Sequence, residues 1–126
     1  MKVLIIEDHI ISSKLMHIIL ENAGCVTDIA PDGTEALKLF FANKYDLILA
    51  DIGLPDISGI TVIRLIREYS KYKTHCPIII ALTAHANGNI KTGCLKAGVD
   101  EFLTKPVDNN HILEIINNCK NATCSC

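Results

Sequence analysis

A doubly wound α/β domain with a parallel sheet is the fold that this 126-residue sequence predicts. Val3 to Ile6, Leu47 to Ala50 and Ile78 to Leu82 are nearly continuous apolar runs, the mark of strands covered on both faces. Val26 to Ala30 and Glu101 to Thr104 interleave polar with apolar residues, as strands at the edges of a sheet do. Segments with apolar residues at helical spacing separate these five strands, and strict alternation of strand and helix calls for right-handed crossovers onto one parallel sheet.

Each helix has its own signals. Leu15, Ile18, Ile19 and Ala23 follow 3.6-residue spacing, with Ser12 or Ser13 as N-cap and Gly24 at the C-terminal stop. Asp32 and Glu35, three apart, open a second helix through Ala36, Leu37, Phe40 and Phe41 in the manner of a capping box. Ser58 caps a third through Val62, Ile63 and Ile66, and Asp108 caps a fifth through Ile112, Ile115, Ile116 and Cys119. The fourth, about Gly88 to Ala97, is the weakest, because Gly88 and Gly93 each cost about 1 kcal/mol relative to alanine in a helix interior. It is expected to be marginal and a moving part, an expectation that slow amide exchange across Gly88 to Ala97 would count against.

Composition narrows the function classes. With 49% hydrophobic and 21% charged residues the chain can bury a sizeable core, so disorder is disfavoured. A formal net charge of -2 leaves no basic surplus for a phosphate backbone, and no direct nucleic-acid partner is expected. The run after Met1 lacks the regions of a signal peptide, and no apolar segment approaches the roughly 18 residues of a membrane span, so a soluble cytoplasmic protein without membrane insertion is expected. Reduced thiols follow for the six cysteines. Cys25, Cys76 and Cys94 lie at or near element ends. Cys119, Cys124 and Cys126 have a spacing compatible with a soft metal, but no fourth ligand is nearby and a frayed tail is the simpler reading.

In sheets of this kind ligands bind at the carboxyl ends of the strands. Those ends collect Glu7 and Asp8 after the first strand, Asp51 after the third, Thr83 after the fourth and Lys105 after the fifth. Three clustered acids repel one another unless a cation neutralises them, and hard oxygen donors without clustered histidine or thiolate select Mg²⁺ or Mn²⁺. An ammonium and a hydroxyl beside such a site can stabilise charge on a phosphoryl group, which leaves Asp51 as the nucleophile that forms an aspartyl phosphate. Each of these residues alone has a plainer reading: Glu7 and Asp8 as helix N-terminal charges, Asp51 as a turn residue, Thr83 as a β-branched strand residue, Lys105 as a solvated charge. Their coincidence at strand ends favours a site. Asp28, Asp32, Asp46, Asp56, Asp100 and Asp108 read as caps, turns and surface, and His9, His17, His75 and His111 show no ligand spacing.

Glu7-Asp8, Asp51 with Pro55 and Gly59 following, Thr83-Ala84 and Lys105-Pro106 together resemble the receiver domain of two-component response regulators, over roughly residues 2 to 118. The stretches ALTAHA at Ala81 to Ala86 and CLKAGVDEFLTKP at Cys94 to Pro106 are most similar to receivers within hybrid sensor kinases and phosphorelays. The resemblance implies a flavodoxin-like (βα)5 fold with strand order 2-1-3-4-5, occupying residues 1–119 with 120–126 as a C-terminal tail. It implies a signalling switch that catalyses its own phosphorylation and dephosphorylation without turning over an external substrate. Asp51 would accept a phosphoryl group from a phosphohistidine on a histidine kinase or histidine phosphotransfer protein. Asp8 and Asp51 would ligate Mg²⁺ directly, Glu7 mostly through water, and the Gly53 backbone carbonyl would add an oxygen. Thr83 and Lys105 would contact the phosphoryl group and Phe102 would fill the aromatic switch position, changing the face of the fourth helix, fifth strand and fifth helix toward a downstream protein. The Lys105 to Pro106 bond would be cis.

Departures from the pattern bear on chemistry. Glu7 stands where aspartate is commoner, which suits a water-mediated contact. Gly53 offers no side chain to position an attacking water, which predicts a long-lived phosphoryl group, whereas His85 pulls the other way if its imidazole can orient that water. Rival functions are a hydrolase of the haloacid dehalogenase kind, which would have a second aspartate where Gly53 stands, and an interaction module that kept the fold without the chemistry, against which the intact acid cluster argues. A flavin protein is disfavoured because no hydroxyl- and glycine-rich phosphate loop follows the first strand. With so few residues after the fifth helix, the reading is a free-standing receiver, modestly favoured by Met1 opening on the first strand, or one excised from a hybrid histidine kinase.

Overall fold

The computed structural model describes residues 1–70, 76–84 and 88–121. These form β1 (Lys2–Ile6), α1 (Ile10–Asn22), β2 (Val26–Ala30), α2 (Gly33–Ala42), β3 (Leu47–Asp51), α3 (Gly59–Ser70), β4 (Ile78–Thr83), α4 (Gly88–Ala97), β5 (Glu101–Thr104) and α5 (Asn109–Asn121). All strand pairs are parallel and the sheet order is β2-β1-β3-β4-β5, so the three apolar runs are central and the two mixed strands are the edges.

Because strand side chains alternate between faces, each central strand feeds two cores. Leu4, Ile6, Ile48 and Ile79 pack with Phe40, Ile63 and Ile66 under α2, α3 and α4. Val3, Ile5, Leu47, Leu49 and Ile80 pack with Leu20, Ile112 and Ile116 under α1 and α5. Burial of this kind stabilises by about 25 cal/mol per Å² of apolar surface, and the sheet, packed on both faces, is a firm base for the residues at its rim.

The helices start largely where the sequence places them, with one correction. Asp32 caps α2 by accepting from the Glu35 amide at 2.8 Å, and Asp108 accepts from the Asn110 amide at 2.8 Å before α5. α1, however, is capped by His9, whose Nδ1 accepts from the Ser12 amide at 3.3 Å, while Ser13 donates to the Ile10 carbonyl from inside the first turn. An imidazole nitrogen can take the place of the usual hydroxyl or carboxylate acceptor, and residue preference alone pointed past it. The apolar stripe of α1 is also split: Leu20 is buried and Met16 and Ile19 pack on the core, whereas Leu15 and Ile18 are exposed. α4 buries only Cys94 and Ala97, as suits a marginal element.

At the end of the sheet away from the strand carboxyl termini, Arg67 joins α3 to two other elements. Its Nε donates to the Gly98 carbonyl and its Nη1 to the Pro77 carbonyl, each at 2.6 Å, and its Nη2 pairs with Asp100. Asp100 also accepts from the Ile79 amide at 2.8 Å, so this acid is a structural tie rather than mere surface. The chain turns there through Gly98 at φ +106°, a left-handed conformation in which only glycine is unstrained. Cys25, Cys94 and Cys119 are free thiols. Cys76 is disulfide-bonded, a departure from thiols reduced throughout, since such pairing depends on tertiary approach and not on spacing along the chain. Cys124, Cys126, His75 and His85 lie outside the described residues.

Candidate functional site

The parallel register delivers the carboxyl ends of β1, β3, β4 and β5 to one rim. Asp51 is the last residue of β3, and the Ile52 amide that follows it donates to the Leu82 carbonyl at 3.1 Å. Thr83 ends β4, and its carbonyl accepts from the Lys105 amide at 2.7 Å, which sets Lys105 beside it. Lys105 and Pro106 are joined by a cis peptide bond, as the resemblance implied.

Glu7, Asp8 and Asp51 each offer a carboxylate oxygen, and the three oxygens lie within 4.8 Å of one another. Glu7 and Asp51 are buried and Asp8 is exposed. Lys105 spans the buried pair: its Nζ donates to Glu7 Oε2 at 2.9 Å and to Asp51 Oδ2 at 3.1 Å. Asp51 Oδ1 accepts from the Gly53 amide at 3.1 Å. Thr83 is buried, and Gly53 lies on the exposed start of the loop after β3. The donors brought together here, three carboxylates, are all hard oxygens, so they fit a small divalent cation that keeps part of its water shell.

One glycine is required by a close approach. A Cβ built on Gly59 would lie 2.5 Å from the Asp51 carbonyl oxygen and 2.5 Å from Ile52 Cα. The bare backbone lets α3 begin directly against the end of β3, with the Gly59 amide donating to the Ile52 carbonyl at 3.0 Å.

Electrostatics divide the two buried acids. Burial raises the Glu7 carboxyl most, its hydrogen bond with Asp51 raises it further, and Lys105 only partly offsets them, so it is pushed up to about 7. Burial also acts to raise Asp51, but the hydrogen bonds from Glu7, the Gly53 amide and Lys105 outweigh it and hold this carboxyl below its ordinary value. Lys105 is disfavoured as a cation by burial, yet its two acid partners outweigh that and raise it. Asp51 is therefore the more readily ionised of the two buried acids, and Glu7 is the one that holds its proton more tightly.

That proton has a measurable consequence. Unfolded Glu7 ionises near its ordinary 4.5, while folded Glu7 holds its proton up to about 7, so between those values the native state binds more protons and stability falls as pH rises. Asp51 is ionised in both states across this window and adds no slope there. Without divalent cations, denaturant unfolding is expected to lose on the order of 2 kcal/mol from pH 5 to pH 7. Flat or rising stability would refute the assignment of the proton to Glu7.

Phe102 is half-buried against the core under α2, α3 and α4. In the β4 and β5 register Ala81 pairs with Phe102 and Thr83 with Thr104, so Phe102 and Thr83 point to the same face, one repeat apart. His17 lies just past the middle of α1, against Glu21 and Thr27, away from the rim residues. The residue that sequence reading undervalued is Asp56, set down as a cap or turn; it caps a helix of another element, accepting from the Gly33 and Thr34 amides at 2.8 and 3.0 Å. A loop acid five residues past the strand end carries no local signal of such a partner.

Comparison with known proteins agrees with this geometry. Residues 3–117 match the family described as the response regulator receiver domain. The chain is 39% identical over 122 residues to hybrid signal transduction histidine kinase I of Dictyostelium discoideum, covering 92% of this chain but 7% of that protein. It is 32% identical over 116 residues to an uncharacterised 14.6 kDa protein of Leptolyngbya boryana, covering 92% of this chain and 87% of that one. Among solved structures, a two-component response regulator from Clostridium difficile superposes with a TM-score of 0.88 at 28% identity, with 95% of each chain covered.

Proposed function

The chain belongs to the response regulator receiver family, and from that premise we propose that it is a phosphorylation-dependent switch with Asp51 as phosphoacceptor and Mg²⁺ as the preferred cation. The observation that carries the reading is the bridging of Glu7 and Asp51 by Lys105 within a three-carboxylate cluster. Glu7, Asp8, Asp51 and the Gly53 carbonyl would hold the ion, which when bound supplies charge neutralisation between the acids and the incoming phosphoryl oxygens.

In the transfer, an Asp51 carboxylate oxygen forms a bond to phosphorus as the bond to the donor breaks. The leaving group is the imidazole nitrogen of a phosphohistidine, or acetate from acetyl phosphate. Lys105, released from Asp51 Oδ2 as that oxygen is consumed, is placed to meet the equatorial oxygens of the phosphoryl group. Thr83 donates a hydrogen bond from its hydroxyl to the same group by moving toward it, and Phe102, next along that face, turns into the space vacated. The face of α4, β5 and α5 then changes shape for a downstream protein. α4, shallowly buried, offers little resistance.

The partner that delivers phosphate is read as a histidine kinase or histidine phosphotransfer protein. α1 supports this by presenting Ile10, Ile11, Leu15 and Ile18 to solvent beside the rim, an apolar face suited to a helical partner. Long hybrid kinases, of which the chain spans less than a tenth, and a protein of about this length both appear among its relatives, so embedded and free-standing settings both fit. No described helix is long and apolar enough to cross a membrane.

Incubation with acetyl phosphate and Mg²⁺ tests the switch against a hydrolase. A switch accumulates a labile aspartyl adduct with little turnover, whereas sustained phosphate release without adduct would overturn it. The lifetime of that adduct should depend on Gly53, whose missing side chain leaves attacking water unoriented. A Gly53→Asn variant is expected to dephosphorylate about tenfold faster, within the usual gain from positioning a reactant. Unchanged decay of the adduct, followed by intact mass, would remove Gly53 as the cause of a long lifetime.

A further inference from the structure

We propose that Asp56 is a positioning residue for the cation site, holding the loop between β3 and α3, and with it the Gly53 carbonyl, by grasping the start of α2; this rests on the cation-assisted reading of the Asp51 site given above. Both carboxylate oxygens of Asp56 are engaged. Oδ1 accepts from the Gly33 amide at 2.8 Å and from the Ile57 amide at 2.8 Å. Oδ2 accepts from the Thr34 amide at 3.0 Å and from the Thr34 hydroxyl at 2.7 Å. With Asp32 taking the Glu35 amide, the first three amides of α2 are satisfied by two acids, one of them from a loop more than twenty residues away.

The loop is shaped for this contact. A Cβ on Gly33 would lie 3.0 Å from Ile57 Cβ and 2.9 Å from Val62 Cγ2, so the absence of a side chain there is what lets the loop and α3 close on α2. At its base the loop is pinned by the Ile52 carbonyl, which accepts from Leu54 at 3.1 Å and from Gly59 at 3.0 Å. Asp56 pins its apex. The Gly53 carbonyl shares its peptide plane with the Leu54 amide held at the base, so its direction is set there and steadied by the Asp56 anchor three residues on. The clasp at the apex thereby helps set the aim of one oxygen, as partners outside the coordination shell do in other metal sites.

The test is calorimetric titration of Mg²⁺ into the whole chain, with thermal unfolding and amide exchange of residues 53–57 measured alongside. Asp56→Ala is expected to bind Mg²⁺ about tenfold more weakly, at the low end of the range for such partners, with faster exchange in the loop. Asp56→Asn keeps one acceptor oxygen and should lose about threefold, and it carries the test if the alanine variant does not fold. Thr34→Val removes only the hydroxyl contact and should stay within about twofold. Mg²⁺ affinity equal to wild type in the folded Asp56 variants, even with reduced stability, would overturn the proposal while leaving the site intact. A wild-type chain that takes up no Mg²⁺ would overturn the site reading itself, and the positioning role with it.

Discussion

An Asp51→Asn variant incubated with acetyl phosphate and Mg²⁺ is expected to form no aspartyl phosphate, where the wild type forms a labile adduct. The amide is nearly isosteric and its oxygen can still accept from the Gly53 amide, so the local fold is preserved. What disappears is the anion. A neutral carboxamide oxygen is a poor nucleophile toward phosphorus, and covalent catalysis needs the ionised carboxylate that the bonds from Glu7, Gly53 and Lys105 keep available. The variant also removes one of the two acids that Lys105 bridges, so the Lys105 to Glu7 pair should persist and hold the rim together. Intact mass spectrometry with hydroxylamine sensitivity reads the outcome. An adduct of equal stoichiometry on the variant would move the acceptor to Glu7 or Asp8.

The second large effect is structural and falls on the same residue from behind. Gly59→Ala places a methyl group 2.5 Å from the Asp51 carbonyl oxygen and from Ile52 Cα. These are backbone atoms at the end of a central strand and of the residue after it, tied to β4 through the Ile52 to Leu82 bond, and cannot rotate aside as a side chain would. Relief requires the start of α3 to withdraw from β3, which also strains the Gly59 to Ile52 bond. A loss on the order of 3 kcal/mol in denaturant unfolding is expected, at the upper end for overpacking. The accompanying shift of Asp51 should slow phosphorylation in whatever fraction remains folded. Wild-type stability in this variant would show that the helix start has more freedom than the packing implies.

Much of this architecture was legible in the sequence because its signals are local and redundant. The runs Val3 to Ile6, Leu47 to Ala50 and Ile78 to Leu82 could be placed at the centre since an apolar residue on both faces has no other home. The rim residues were legible for a different reason: a parallel sheet sends all its strand ends one way, so position at a strand terminus already places Glu7, Asp8, Asp51, Thr83 and Lys105 together. What was not legible depends on contacts between segments. α1 is apolar on nearly every side, and periodicity could not tell that Met16, Ile19 and Leu20 meet the sheet while Leu15 and Ile18 meet solvent. The cap at His9 was missed because the preference scale ranks hydroxyls and carboxylates first. Asp56 and Asp100 looked like ordinary surface acids because their partners, the α2 amides and Arg67, lie on other elements.

The bridge from Lys105 to Glu7 joins residues 98 positions apart, across the sheet from its last strand to its second-to-first. Without β5 in place, Glu7 and Asp51 would lack the ammonium that bridges them. On the proposed reading, a form in which β5 has not docked would also lack the ammonium that meets the phosphoryl group. Completion of the fold and readiness of the proposed site then become one event.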